Sequence, residues 1–273
     1  MKSGEGRTLT EHTAGPLGQV AVNLGYATPE QVEAALQEQK HRAESDQWMR
    51  IGMLLCEMGV LTPTQLFRVL SRTESSLNVP NEDAIRLAAH LRSAAVSDVR
   101  VILITSAACG EGKSVIASQL ATALALMGRD EVLLVDGNLR RPTMHSQFSL
   151  KRGPGLSELV GRGGDFASFI QKTDIPRLSL LSSGEAVDDF IYLLMDERCG
   201  GQLSQLRQTF PIIIIDTAAI MVYPDAALMV PHADAVLLVV SAGERRKNEV
   251  LEMKRLVEGM QVRILGAMLS ERG

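Results

Sequence analysis

The spacing of apolar residues divides the chain into two parts with different periods. From Arg100 onward, short runs of Val, Ile and Leu alternate with longer stretches in which apolar residues return every three or four positions. The continuous runs predict strands buried on both faces, and the longer stretches predict the helices that cover them. The expected fold class is therefore α/β, a parallel sheet with helices on both faces. The predicted strands are Val101 to Thr105, Glu131 to Asp136, Leu178 to Leu181, Pro211 to Asp216, Ala235 to Ser241 and Arg263 to Leu269. Ligands of such sheets bind beyond the carboxyl ends of the strands, so the chemistry is expected there.

The first third has a helical pattern, written twice. Leu17-Gly18, Gly25, Thr28-Pro29, Gln31 and Leu36 fall, after a shift of 34 residues, on Ile51-Gly52, Gly59, Thr62-Pro63, Gln65 and Leu70. In each copy a Gly closes one helix, Thr caps the next, Pro takes its first position and Gln reaches back three residues later. Two helical hairpins, a small all-α domain, are expected. Two copies are too few for a solenoid. The stretch Thr-Glu-Ser-Ser-Leu-Asn-Val-Pro-Asn collects chain breakers and reads as a linker, followed by a helix near Asp83 to Arg92. The expected domains are 1–72, a linker at 73–81 and 82–273.

Composition narrows the class of partner. A formal charge of −4 argues against a nucleic-acid footprint. Cys56, Cys109 and Cys199 are scattered and odd in number, which fits a reducing cytoplasm rather than a disulfide framework or zinc site. The first residues lack the apolar stretch of a signal peptide, and no run approaches the roughly 18 to 20 apolar residues of a spanning helix. No direct membrane insertion is expected, and membrane contact is expected to go through a partner.

After the first predicted strand comes Ala107-Ala108-Cys109-Gly110-Glu111-Gly112-Lys113-Ser114, then an apolar-periodic helix from Val115 to about Met127. Strand, glycine-rich loop, Lys-Ser pair and helix stand in the order of a P-loop. Glycines let the backbone amides curl around phosphate oxygens at the positive end of the helix. Residues Ala108 to Val115 are the candidate nucleotide cradle; Lys113 is expected at the β- and γ-phosphates and Ser114 on Mg²⁺. Cys109 reads as a small residue filling the turn, with redox sensitivity as the alternative.

Two predicted strands end in acids, Asp136 after Val-Leu-Leu-Val and Asp216 after Ile-Ile-Ile-Ile. A lone Asp at a strand end is ordinarily a turn cap. Two behind a P-loop point instead to a metal-nucleotide, one holding Mg²⁺ and the other orienting or deprotonating the attacking group.

Gly-Glu-Gly-Lys-Ser, then Leu-Leu-Val-Asp136-Gly-Asn138-Leu-Arg140-Arg141-Pro142 with His145, Asp216-Thr217-Ala218-Ala219, Ala-Asp-Ala-Val-Leu-Leu-Val-Val and Ile-Leu-Gly-Ala-Met-Leu resemble the bacterial tyrosine kinases, or BY-kinases. The resemblance covers about two thirds of the chain. It implies ATP-dependent autophosphorylation on tyrosine, control of exopolysaccharide chain length, and activation by a membrane-bound chain-length determinant, a polysaccharide co-polymerase. It implies a cytoplasmic protein held at the inner membrane through that partner, and a homo-oligomer. By the same resemblance Lys113, Asp136, Arg140 and Asp216 are the catalytic candidates, Ser114, Asp136 and Asp216 the metal ligands, and Arg140 stands next to the transferred phosphate.

Four features depart from the family pattern. Asn138 replaces a second Asp. The sequence ends at Gly273 with only Tyr26, Tyr192 and Tyr223, each expected to be structural, in place of a tyrosine cluster. The oligomerisation motif Glu-x-x-Arg-x-x-Arg survives only as Asp83-x-x-Arg86-x-x-Ala89, and two prolines become Ala218 and Ala219, which is expected to loosen that loop.

The N-terminal repeat resembles the MshEN domain of secretion ATPases, whose tandem motif binds cyclic di-GMP. The first copy runs from Pro16-Leu17-Gly18 through Gly25, Val32 and Leu36 to Gln39, and the second from Arg50-Ile51-Gly52 through Leu55, Gly59, Leu66 and Leu70 to Thr73. Leu17, Gly18, Gly25, Gln39, Arg50, Ile51, Gly52 and Gly59 are the candidate cyclic di-GMP residues. A helical docking domain explains the same Gly and Leu spacing.

The alternatives to a kinase are a nucleotide-sensing regulator with little phosphoryl transfer, which Asn138 favours, and a MinD or ParA-type positioning ATPase. Those positioning ATPases carry an extra Lys early in the P-loop, where this chain has Ala107-Ala108. The run Arg245-Arg246-Lys247 reads as a solvated helix start, with docking of an acidic segment as the alternative.

Overall fold

A computed structural model describes residues 16–44, 51–70, 80–93, 96, 98–187, 190–243 and 247–270. The chain divides into two compact units, residues 1–76 with 174–176, and residues 77–173 with 177–273. Expected linker residues 73–79, Arg50, Thr73, Arg245 and Arg246 lie outside the described residues.

The N-terminal unit contains α1 (Pro16–Asn23), α2 (Pro29–Glu44), α3 (Ile51–Glu57) and α4 (Pro63–Leu70). Both hairpins close as the repeat dictates. Gly25 and Gly59 have φ of +68° and +70°. The amides that follow them, of Tyr26 and Val60, reach back to the carbonyls of Ala21 and Leu55 at 3.0 and 2.9 Å. That is the left-handed helix ending for which glycine has no steric penalty. Reciprocal capping boxes then open α2 and α4: the Thr28 and Thr62 amides donate to Gln31 and Gln65 Oε1 at 2.8 Å, and the two Gln amides donate back to the Thr hydroxyls. Ala21, Val32, Ala35, Leu54, Leu55 and Leu66 form the core.

In the second unit α5 (Glu82–Leu91) precedes β1 (Val101–Ser106), α6 (Lys113–Met127) and β2 (Val132–Asp136). There follow α7 (Met144–Gln147), α8 (Leu156–Arg162), β3 (Ile170–Lys172), β4 (Leu178–Leu181), α9 (Phe190–Met195) and α10 (Glu197–Thr209). The chain continues through β5 (Ile212–Asp216), α11 (Asp225–Met229), β6 (Ala235–Ser241), α12 (Lys247–Gly259) and β7 (Arg263–Ser270). The strands form one sheet in the order β3-β4-β2-β5-β1-β6-β7. Every residue of β1, β2, β4 and β6 is buried, which is what their unbroken apolar runs require.

One expectation needs correction. The sheet is mixed rather than parallel throughout, because β3 pairs antiparallel with β4. This edge strand is three residues long, and Gln171 and Lys172 give it no apolar run to detect. The insertion of β5 between β1 and β2 positions the site, since it brings Asp216 beside both the P-loop strand and Asp136.

Candidate functional site

The loop after β1 curls through two left-handed glycines, Gly110 at φ +79° and Gly112 at +80°, and Lys113 and Ser114 open α6. Glu111 is 1 % exposed and its Oε2 accepts the Ala108 amide at 2.8 Å. Its side chain therefore braces the loop rather than facing a ligand. Cys109 and Gly110 are exposed at the mouth, and Ala108, Gly112, Ser114 and Val115 are half-buried.

Lys113 is buried and donates to Ser106 Oγ at 2.9 Å and the Ala108 carbonyl at 3.3 Å. Burial lowers its affinity for a proton, and the Asp216 carboxylate works against that shift. Ser106, at the end of β1, was not foreseen as a site residue; it parks the lysine inside its own loop. The Ser114 hydroxyl donates to Asp216 Oδ2 at 2.5 Å.

Asp136 and Asp216 are register partners at the carboxyl ends of β2 and β5, and both are fully buried. Asp136 Oδ2 accepts the amides of Thr143 and Met144, each at 3.1 Å. Burial, aided by Asp216, pushes its carboxyl up to about 8 despite those amides. Burial pushes Asp216 up to about 6 against the opposing pull of Ser114 and Lys113. Oδ1 of each acid is buried with no hydrogen-bond partner among the described residues. Such oxygens are costly to leave unpaired, and a hard divalent cation that keeps several waters and takes one or two carboxylates answers the need. The donor set of Ser114, Asp136 and Asp216 therefore fits Mg²⁺.

The segment after β5 is stitched to β1. The Thr217 amide and hydroxyl donate to the Ile104 carbonyl at 3.2 and 2.8 Å, the Thr105 hydroxyl donates to the Ala218 carbonyl at 2.9 Å, and the Ile220 amide donates to the Ser106 carbonyl at 3.0 Å. Ala218 and Ala219 are buried. Ala218 and Ala219 thus stand in a loop that hydrogen bonds tie to β1.

A cleft of about 360 Å³ opens between these segments, lined by Lys113, Ser114, Asn138, Arg140, Ala218 and Tyr223 among others. Arg140 is anchored there. Its Nε and Nη2 donate to Asp225 Oδ2 and Oδ1 at 2.8 and 3.0 Å, and its guanidinium lies 4.1 Å from the Tyr223 ring centre and 4.8 Å from that of Phe190. Asp225, Tyr223 and Phe190 were invisible as site residues in the sequence. Asp225 follows a proline at the start of α11 and reads as an ordinary acidic first turn. Arg141 is exposed.

Six of the candidate cyclic di-GMP residues pack in the N-terminal unit or end its helices. Gly18 and Gly52 are buried, and a Cβ on Gly52 would stand 3.1 Å from Leu66 and 3.4 Å from Leu17. Leu17 and Ile51 pack against the core, Gly25 and Gly59 end helices, and Gln39 is half-buried. A cavity along α2, lined by Gln37, Glu38, His41 and Arg42, includes none of these candidates.

An α/β sheet with a P-loop on one strand and paired acids on its neighbours defines a P-loop nucleotide-binding protein. No family model matches the chain. It is 30% identical over 204 residues to the tyrosine-protein kinase YwqD of Bacillus subtilis, covering 74% of this chain and 85% of that one. Among solved structures it resembles the chimerical protein CapA2B2 with a TM-score of 0.62 and 30% identity, covering 82% of this chain and 91% of that one. The chain therefore belongs to the bacterial tyrosine-protein kinases. MinD from Pyrococcus horikoshii, solved with Mg-ADP, shares the fold at a TM-score of 0.55 and 21% identity, over 62% of this chain and 71% of that one. Among the described residues no helix is long and apolar enough to cross a membrane.

Proposed function

We propose that the chain is an ATP- and Mg²⁺-dependent protein-tyrosine kinase that regulates exopolysaccharide biosynthesis and export. It would control chain length by autophosphorylation or ATP-dependent assembly, working in the cytoplasm at the inner membrane through a chain-length determinant partner. The observation that carries this reading is the pair of buried, open carboxylate oxygens of Asp136 and Asp216 behind Lys113 and Ser114. Two buried acids side by side behind the P-loop suit a metal-assisted transfer better than a passive cradle does.

In this reading the amides of Ala108 to Val115 cradle the phosphates, and Lys113 leaves Ser106 to meet them. Ser114 and Asp216 would hold Mg²⁺ directly and Asp136 through water, and the cation would supply positive charge to the β- and γ-phosphates. A tyrosine oxygen attacks the γ-phosphorus, the bond to the bridging oxygen breaks, and ADP leaves. Asp136, a carboxylate once the site is loaded, would take the phenolic proton. Arg140, held by Asp225, offers positive charge to the transferring group.

A second reading is a nucleotide-sensing regulator without transfer, which Asn138 favours. Incubation of the purified chain with labelled ATP and Mg²⁺ separates the two. Phosphotyrosine that vanishes in Lys113→Ala supports the kinase, whereas ATP binding without transfer, with the chain-length partner present, supports the sensor.

For the N-terminal unit, whose repeat resembles an MshEN domain, we assign a docking role. The packing account of Gly18, Gly52, Gly25 and Gly59 supports it. Saturable binding of cyclic di-GMP by the full chain would replace docking with ligand sensing.

A further inference from the structure

We propose that Tyr192 is the tyrosine this chain phosphorylates, and that α9 presents it to the nucleotide cleft of a second copy. The inference rests on the kinase reading and names its acceptor.

The sequence contains three tyrosines, and their environments differ. Tyr26 accepts a hydrogen bond from Arg68 Nη1 at 3.1 Å within the helical unit. The Tyr223 ring is half-buried under the Arg140 guanidinium, clamped at one wall of its own cleft. Tyr192 is 72% exposed and makes no hydrogen bond among the described residues. The expectation that all three are structural therefore has no packing to support it at Tyr192.

The placement of α9 decides between transfer within one chain and transfer between two. Phe190 of this helix stacks on Arg140, so that side of α9 faces the cleft wall. Successive helical residues turn by about 100°, which puts Tyr192 roughly 200° around from Phe190 and away from its own cleft. Met195, three residues on, shares the outer face and is 63% exposed, while Leu194 is buried on the inner side. The outward Tyr192 and Met195 are an exposed face with no partner among the described residues.

Charge favours a second copy as the partner. The sequence beside the helix is acidic, with Asp188 and Asp189 before it and Asp196 and Glu197 after it, of which Asp196 is paired with Arg198 at 2.7 Å. The cleft that would receive it is lined by Lys113, by Arg140 in its pair with Asp225, and by exposed Arg141. Opposite charge across such a contact steers encounter and fixes register. In the transfer, Tyr192 Oη bonds to the γ-phosphorus, the bond to the β,γ-bridging oxygen breaks, ADP departs and the phenolic proton passes to Asp136 of the receiving copy. The product adds about −1.5 to −2 charge beside the acidic flank, which weakens the apolar contact and releases the helix.

The test uses the full chain with Mg²⁺ and labelled ATP, with and without a synthetic Glu-Tyr copolymer as an independent substrate. Labelling of the copolymer by wild type reports kinase activity whatever the internal acceptor. Expected results are self-label mapped by mass spectrometry to Tyr192, loss of most self-label in Tyr192→Phe with copolymer labelling retained, and a self-labelling rate per molecule that rises with concentration. Mixing Lys113→Ala with Tyr192→Phe should restore label, on Tyr192 of the former. Copolymer labelling with self-label on Tyr26 or Tyr223, or none, would sink the acceptor assignment alone. Self-label whose rate per molecule ignores concentration would overturn the two-copy arrangement. If neither copolymer nor chain is labelled, the kinase reading fails and this inference fails with it.

Discussion

Asp136 and Asp216 stand side by side across β2 and β5, each with one buried oxygen that nothing among the described residues satisfies. The arrangement holds two acids where at most one ionises readily. Burial is the first cause at both.

The pH dependence follows from that burial. The folded protein keeps the Asp136 proton up to about 8 and that of Asp216 up to about 6, whereas an unfolded carboxyl releases it near about 4. Between those values the folded state binds more protons than the unfolded, so stability of the ligand-free chain falls as pH rises from about 4 to about 8. Asp136→Asn removes most of that loss, and its thermal midpoint should gain on wild type steadily across this window. Mg-ADP should stabilise wild type more at the alkaline end, because binding a cation requires the carboxylates without their protons. Thermal unfolding across pH, with and without Mg-ADP, checks both slopes. Parallel wild-type and variant curves would show that Asp136 is already ionised.

Arg140 and Asp225 predict an asymmetry. Arg140→Ala strands an acid whose side chain is 1% exposed, and a buried charge left without its partner costs about 3 kcal/mol or more. Asp225→Ala strands a guanidinium that is 27% exposed and still stacked on Tyr223, so water takes over part of the lost pair. That variant should cost about 2 kcal/mol. The double variant should cost less than the sum, since the two residues share one interaction. Chemical denaturation of the three proteins measures all of this, and equal, additive losses would contradict the clamp.

Gly112→Ala tests the loop geometry. A φ of +80° costs a non-glycine residue roughly 1–2 kcal/mol, and the added methyl would come within 2.6 Å of Ser270 Oγ. Because Ser270 presents the tip of a side chain, Ser270→Ala in the same chain should recover only a small part of the stability. Nucleotide affinity should fall with the single variant, since the left-handed turn is what aims the amides inward. Calorimetric titration with Mg-ADP reads the affinity, and full recovery in the double variant would mean contact rather than backbone conformation was at fault.

How much of this was legible in sequence depends on the distance between the partners. Thr28 with Gln31 and Thr62 with Gln65 are three residues apart, so a local pattern stated both capping boxes before any fold was known. Asp136 and Asp216 were readable because each ends an apolar run, and parallel strands carry such ends to one edge of the sheet. Asp225 pairs with Arg140 across 85 positions, and Phe190 stacks on the same guanidinium from another helix, so neither had a local signal. The β3 edge was missed because Gln171 and Lys172, half-buried and exposed, do not carry the hydrophobic pattern that marks strands.

Asn138 is where a single substitution should move activity upward. It is half-buried in the cleft lining, and its Oδ1 accepts the Arg141 amide at 3.3 Å. A carboxylate accepts the same amide, so Asn138→Asp keeps the turn while adding a negative charge near Asp136. If the missing acid limits transfer, the variant should label the Glu-Tyr copolymer about tenfold faster or more and require less Mg²⁺. The added charge also has a cost: it pushes the Asp136 carboxyl further up, so the ligand-free variant should be less stable than wild type near neutral pH. Added Mg²⁺ should offset that loss by binding the folded state. Copolymer labelling against Mg²⁺ concentration, beside thermal unfolding, reads both effects. A variant that loses stability yet labels no faster at any Mg²⁺ level would place the limit on transfer elsewhere in the cleft, and the anchored Arg140 would be the next residue to test.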